Sequence, residues 1–238
     1  MKIIPAKERL ILALDVDTVE KIRVLVRQLS ELVGIFKVGP RVFTRYGPKI
    51  IEIIQREGAR VFYDAKFYDI PSVVEKAAQV VGEMGVDMFT VHTLGGSEMM
   101  RRAASAAKEK NSKIKAIGVT ILTSLDSSAV RRELGIEKSL REEVLHLARL
   151  ARGAGLDGVV SSPQELESLR RAFGRNILLV VPGIRPKGMK KGDQRRVMTP
   201  AEAVKRGADF LVLGRPVLEA EDPGKVLEKI LEEIEDAE

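Results

Sequence analysis

Apolar residues in this chain fall into short dense runs, separated by longer stretches where they recur every three or four positions. The dense runs are LILALDV (10–16), GIFKVG (34–39), RVFYDAK (60–66), MFTVHT (88–93), KAIGVTIL (115–122), DGVVSS (157–162), ILLVVPG (177–183) and FLVLG (210–214). Val, Ile, Leu and Phe dominate them, as expected of strands buried on both faces. Between the first two runs, Val19, Ile22, Leu25, Val26, Leu29 and Leu32 line one face of a helix. SLRE (139–142), SPQE (162–165) and TPAE (199–202) each place a hydroxyl at a helix start and a Glu three residues on. Pro163 and Pro200 fill first helical positions, where a missing N–H is harmless. Gly58 and Gly207 stand where helices should end.

Eight strand–helix repeats in 238 residues predict an α/β chain folded as a single (β/α)8 TIM barrel with parallel strands. A doubly wound open sheet is the alternative, weakened because no G-x-G-x-x-G follows the first strand. No Gly/Ser-rich or Pro-rich linker divides the chain, so one domain over residues 1–238 is expected.

Composition narrows the chemistry. The chain has no cysteine and two histidines, His92 and His146, which removes thiolate chemistry and disfavours a histidine-rich metal centre. The opening MKIIPAKERLILALD has Pro5 and charged residues where a targeting signal needs an apolar core, so a cytoplasmic protein is expected, with no membrane partner. The net charge of +6 is dispersed except in KGMKKGDQRR (187–196), and aromatics are only 4%. Nucleic acid is therefore a poorer expectation than a small anionic ligand.

Ionisable residues collect at the ends of the predicted strands. Asp15 ends the first, Lys37 the second, Asp64 and Lys66 the third, His92 the fourth, and Thr123 with Ser124 the fifth. In a barrel these ends form one face, where active sites lie. Asp64 and Lys66 are two residues apart, so strand alternation sends both to the same side, where opposite charges keep each other ionised. A structural ion pair is the competing reading of that pair alone. His92 reads as a hydrogen-bonded strand-end residue and His146 as a structural helix residue. Asp69 lies past the strand end and is placed to reach a neighbouring subunit's site. The last two loops, with Gly183, Arg185, Gln194, Gly214 and Arg215, suit a phosphate, and the basic segment between them suits a lid.

LALD (12–15), FKVG (36–39), DAKFYDIP (64–71), VTILTS (119–124) and the block from Val181 to Pro216 resemble, in order, the orotidine 5′-phosphate decarboxylase family, in its bacterial-type branch. The resemblance implies a (β/α)8 barrel that converts a pyrimidine nucleotide monophosphate, orotidine 5′-phosphate, to uridine 5′-phosphate with no metal and no cofactor. It implies that Lys66 protonates C6, that Asp64 faces the substrate carboxylate, and that Asp69 and Ile70 enter the partner's site of a homodimer. Asp15 and Lys37 would complete the charged network and hold the ribose. Thr123 and Ser124 would lie along the pyrimidine. Arg185, Gln194, Gly214 and Arg215 would hold the phosphate, with Gln194 bridging towards the base, and Pro182 would also bind the substrate. The family usually has Thr where this chain has Val73, which removes one hydroxyl contact to the nucleotide. Related barrels with Asp-x-Lys-x-x-Asp are magnesium-dependent sugar-phosphate enzymes; the DIP continuation and GDQ (192–194) speak against that reading.

Overall fold

The computed structural model describes residues 4–186 and 197–237. Eight strands, β1 (Leu10–Ala13), β2 (Ile35–Val38), β3 (Val61–Phe67), β4 (Met88–His92), β5 (Lys115–Val119), β6 (Gly158–Val160), β7 (Leu178–Val181) and β8 (Phe210–Leu213), fall one to each predicted run, with β3 extending one residue past its run to Phe67. They pair in sequence order, and β8 returns to β1, so the sheet is a closed barrel. All the pairings are parallel. Closure leaves no edge and explains the continuous apolar runs, because helices cover the outside while side chains fill the inside.

The alternation of each strand divides two cores. Ile11, Ile35, Phe62, Met88, Ile117, Val180 and Phe210 point inward and plug the barrel. Their neighbours, such as Leu10, Leu12, Phe36, Val61, Phe89 and Leu211, face outward into the larger core beneath the helices. The helix Val19–Leu29 buries Ile22, Leu25, Val26 and Leu29 there, as its spacing predicts.

Two of the three expected capping boxes form, at Ser139 with Glu142 and at Thr199 with Glu202. The third does not. Ser162 instead accepts from the Gln164 N–H and starts a single 3-10 turn, Pro163–Glu165, with Glu165 buried. Gly58 and Gly207 take the left-handed conformation after their helices, with φ of 77° and 96°.

A repeat unnoticed in the sequence sets the strand register. Gly85-Val86-Asp87, Gly155-Leu156-Asp157 and Gly207-Ala208-Asp209 precede β4, β6 and β8. Each Asp carboxylate accepts the N–H of a residue at or near the start of the preceding strand: Val61 at 3.0 Å, Ala116 at 2.9 Å and Leu179 at 2.8 Å. These bonds lie at the N-terminal end of the barrel, the end given to stability. Asp209 is completely buried there against Arg170. No helix among the described residues is long and apolar enough to cross a membrane.

Candidate active site

Strand alternation builds the site from the apolar plug upward. Two residues beyond Ile35, Phe62 and Met88, and hence on the same inward face, stand Lys37, Asp64 and Thr90. Their strands β2, β3 and β4 are neighbours, so the three polar groups meet in the layer above the plug. The Lys37 Nζ lies 3.1 Å from Asp64 Oδ2, and Lys66 Nζ lies 2.7 Å from the same oxygen. The Thr90 hydroxyl donates to Asp64 Oδ1 at 3.0 Å. Asp64 is only 8% exposed. Burial pushes its carboxyl pKa up, but the Lys37 and Lys66 ammonium groups more than reverse this and hold it below the usual aspartate value. Burial, and then the charge of Lys66, lower the His92 pKa.

Regular alternation would send Lys66 to the same side as Asp64, but the strand is not regular there. Tyr63 pairs with Phe89 and Phe67 with Val91, so β3 uses four steps where β4 uses two. Within this bulge Lys66 adopts φ 49°, the one positive φ at a non-glycine residue among those described. Bulges re-aim side chains and gather near active sites. Asp64 and Lys66 do meet, but a bulge rather than a flat pleat brings them together.

Above this centre opens a cavity of about 280 Å³, near the small end for ligand pockets. Asp15, Lys37, Asp64 and Lys66 line one side, with Thr123, Pro182, Gly183, Arg185, Gly214 and Arg215 on the others. Apolar side chains from β1, β5, β6 and β8 or the residues just after them, among them Ala13, Val119, Ile121, Val160 and Val212, complete the wall. Asp15 approaches the charged centre across Gly39: a Cβ added at Gly39 would lie 3.5 Å from both Asp15 Oδ1 and Lys37 Nζ.

The far wall is shaped by the loops after β7 and β8. Gly183 turns with φ 79°, and the two sides of the first loop are tied by Arg185 N–H to Met198 O at 2.9 Å and Met198 N–H to Gly183 O at 3.3 Å. Gly214 precedes a short helix, Arg215–Leu218, and its carbonyl accepts the N–H groups of Val217 and Leu218 at 2.9 and 3.1 Å. Gln194 and the expected lid at 187–196 lie outside the described residues.

Other expected residues lie elsewhere. Ser124 is exposed and does not line the cavity. Asp69, Ile70 and Val73 are exposed beside the mouth, outside this chain's own cavity. The Asp69 carboxylate accepts the N–H of Ile70 at 2.6 Å. His92 Nδ1 accepts the Leu94 N–H at 3.4 Å, and His146 lies half-buried on the helix Leu140–Gly153. Thr90 was missed, although a signal existed: it is a polar residue within a buried strand, in step with Met88 and His92. Among the described residues, no three His, Asp or Glu side chains converge as metal ligands.

Fold and site define a (β/α)8-barrel protein with a lysine–aspartate–lysine centre at the C-terminal mouth of its strands. Residues 8–230 match the Orotidine 5′-phosphate decarboxylase / HUMPS family. The chain therefore belongs to that family. It is 47% identical over 235 residues to the orotidine 5′-phosphate decarboxylase of Moorella thermoacetica, covering 97% of this chain and 93% of that one. It is 46% identical over 237 residues to the enzyme of the same name from Syntrophotalea carbinolica, covering 98% and 97%. The crystal structure of orotidine 5′-phosphate decarboxylase from Lactobacillus acidophilus superposes with a TM-score of 0.82 at 34% identity, over 94% of this chain and 98% of that one.

Proposed function

We propose that this protein decarboxylates orotidine 5′-phosphate to uridine 5′-phosphate, with Lys66 protonating C6 and with neither metal nor cofactor. The observation that carries the proposal is the pair of ammonium groups at 2.7 and 3.1 Å from one buried carboxylate oxygen, in a chain similar throughout to proteins bearing that enzyme's name.

The chemistry explains why such a centre is useful. Loss of carbon dioxide from C6 leaves an electron pair in the ring plane, where the ring carbonyls delocalise it poorly. The protein must then supply the stabilising charge. An ammonium already fixed by Asp64 needs little reorganisation when the negative charge forms. Its proton moves to C6 as the C–C bond breaks, so Lys66 acts both as electrostatic stabiliser and as acid. Asp64 faces the carboxylate that leaves. Asp15 and Lys37 hold the ribose and keep the charge network in place. Thr123, with Ser124 beyond it, borders the pyrimidine. Pro182 also contacts the substrate, while Arg185, Gln194, Gly214 and Arg215 hold the phosphate, far from the bond that breaks, with Gln194 bridging towards the base. Binding energy gained there can be realised in the transition state.

A homodimer belongs to the same reading. Tyr68, Ile70 and Val73 follow β3, Leu94 follows β4 and Leu122 follows β5, and their exposures run from 37% to 63%. Consecutive barrel strands thus carry an apolar sector beside the mouth, which a second copy would cover. Asp69 and Ile70 would then enter the partner's site, with Val73 beside them in place of the usual Thr. One domain over residues 1–238 and residence in the cytoplasm complete the proposal and rest on the sequence reading.

The test is to follow the absorbance of orotidine 5′-phosphate with purified protein, with and without EDTA. Equal turnover in both is expected. No turnover by folded protein overturns the reaction, and turnover abolished by EDTA overturns its metal independence.

A further inference from the structure

We infer that Thr90 is a positioning residue for the Lys66–Asp64 centre, one hydroxyl holding the backbone of the lysine and the carboxylate of the aspartate. The inference rests on the decarboxylase reading above. A left-handed backbone is unfavourable for a residue with a Cβ and persists only where its surroundings impose it. At Lys66 the surroundings are visible. The bulge takes the Lys66 N–H off the regular ladder, and Thr90 stands on β4 between Phe89 and Val91, the two residues that bracket the bulge. The Lys66 N–H donates to Thr90 Oγ1 at 2.8 Å, and the same oxygen gives its own proton to Asp64 Oδ1 at 3.0 Å.

A threonine hydroxyl has one proton, so accepting from the amide directs that proton to the carboxylate. Asp64 Oδ1 is thereby held, and Oδ2 faces both ammonium groups. Thr90 is completely buried. Two other buried threonines show the ordinary structural use: Thr93 donates to Val119 O at 2.8 Å and Thr120 to Val160 O at 2.9 Å, both backbone carbonyls. Thr90 instead spends its hydroxyl on the two residues assigned to the chemistry.

Thr90→Val keeps the shape and removes both bonds; Thr90→Ser keeps both bonds and removes a methyl. Small misplacements of a reacting group cost about 100-fold in rate, so Thr90→Val is expected to lower kcat by roughly 10–100-fold. Affinity for uridine 5′-phosphate should stay within about threefold, because the cavity wall is otherwise intact. The acid limb of the kcat profile should move to higher pH in Thr90→Val, since a carboxylate that loses a donor is protonated more readily. Thr90→Ser should restore kcat and the profile. If Thr90→Val does not fold, Thr90→Ala against Thr90→Ser makes the same comparison.

Amide exchange gives a readout independent of turnover: the Lys66 N–H should exchange at least about tenfold faster in Thr90→Val than in the wild type or Thr90→Ser. Unchanged exchange and kcat overturn the inference. So does a loss of kcat matched by an equal loss of nucleotide affinity, or a Thr90→Ser variant as impaired as Thr90→Val. Wild-type protein inert toward orotidine 5′-phosphate overturns the decarboxylase reading instead, and leaves the exchange experiment to decide whether the clamp exists.

Discussion

Asp64→Asn separates the electrostatics of the centre from its shape. The substitution keeps the volume of the side chain and deletes one charge. Lys37 and Lys66, both within 3.1 Å of the same Asp64 oxygen, are then left facing each other without the anion between them. Breaking a buried pair by removing one partner typically costs about 3–5 kcal/mol. Here the Asp64 and Lys37 side chains are 11% and 12% exposed, but Lys66 is 34% exposed, so water relieves part of the repulsion. A loss of about 2–4 kcal/mol at neutral pH follows, or roughly 5–15 °C in Tm for a chain of this size. The pH dependence fixes the cause. The folded-state pKa of Asp64 is depressed, so its contribution is present above the ordinary aspartate value near 4 and is lost as pH falls through the lower folded value. Urea unfolding of both proteins from neutral pH down to about pH 3 should therefore show the stability gap narrowing below pH ~4. A variant as stable as the wild type at neutral pH, or a gap independent of pH, would refute the reasoning.

Three further outcomes are expected. Lys66→Ala and Asp69→Asn should each be inactive alone, yet mixing and reassociating them should restore up to about a quarter of wild-type activity, because half the dimers would be hybrids with one intact site; no recovery would place Asp69 in its own chain's site. Arg215→Ala should raise KM by roughly 10–100-fold through loss of a charge-assisted contact to phosphate, which steady-state kinetics will show. Asp209→Asn, at the opposite end of the barrel, should lower stability by about 3–5 kcal/mol while kcat and KM stay unchanged; altered kinetics would mean that the two ends are coupled.

The legible and hidden parts of this protein differ in physical origin. The eight strands were readable because a barrel strand is buried on both sides, and that demand is written in consecutive residues such as Leu10 to Ala13 and Leu178 to Val181. The placement of Lys37 and Asp64 was readable because a period of two carries a side chain from the apolar plug to the layer above it. The backbone of Lys66 was not readable. Nothing local in DAKF favours a left-handed lysine; its conformation comes with a bulge opposite Thr90, 24 residues away. Thr90 itself was hidden because threonine is an ordinary strand former, so its type alone announces no task. The capping box expected at Ser162 does not form: Glu165 is buried, and Ser162 caps a 3-10 turn instead of an α-helix.

The central claim is that Lys66 delivers the proton while the rest of the cavity binds the nucleotide. Measuring turnover of orotidine 5′-phosphate and affinity for uridine 5′-phosphate in Lys66→Ala tests it most directly. The expected result is turnover reduced by at least about a thousandfold with product affinity changed far less. Lys66→Ala protein that still turns over at a comparable rate would contradict the claim.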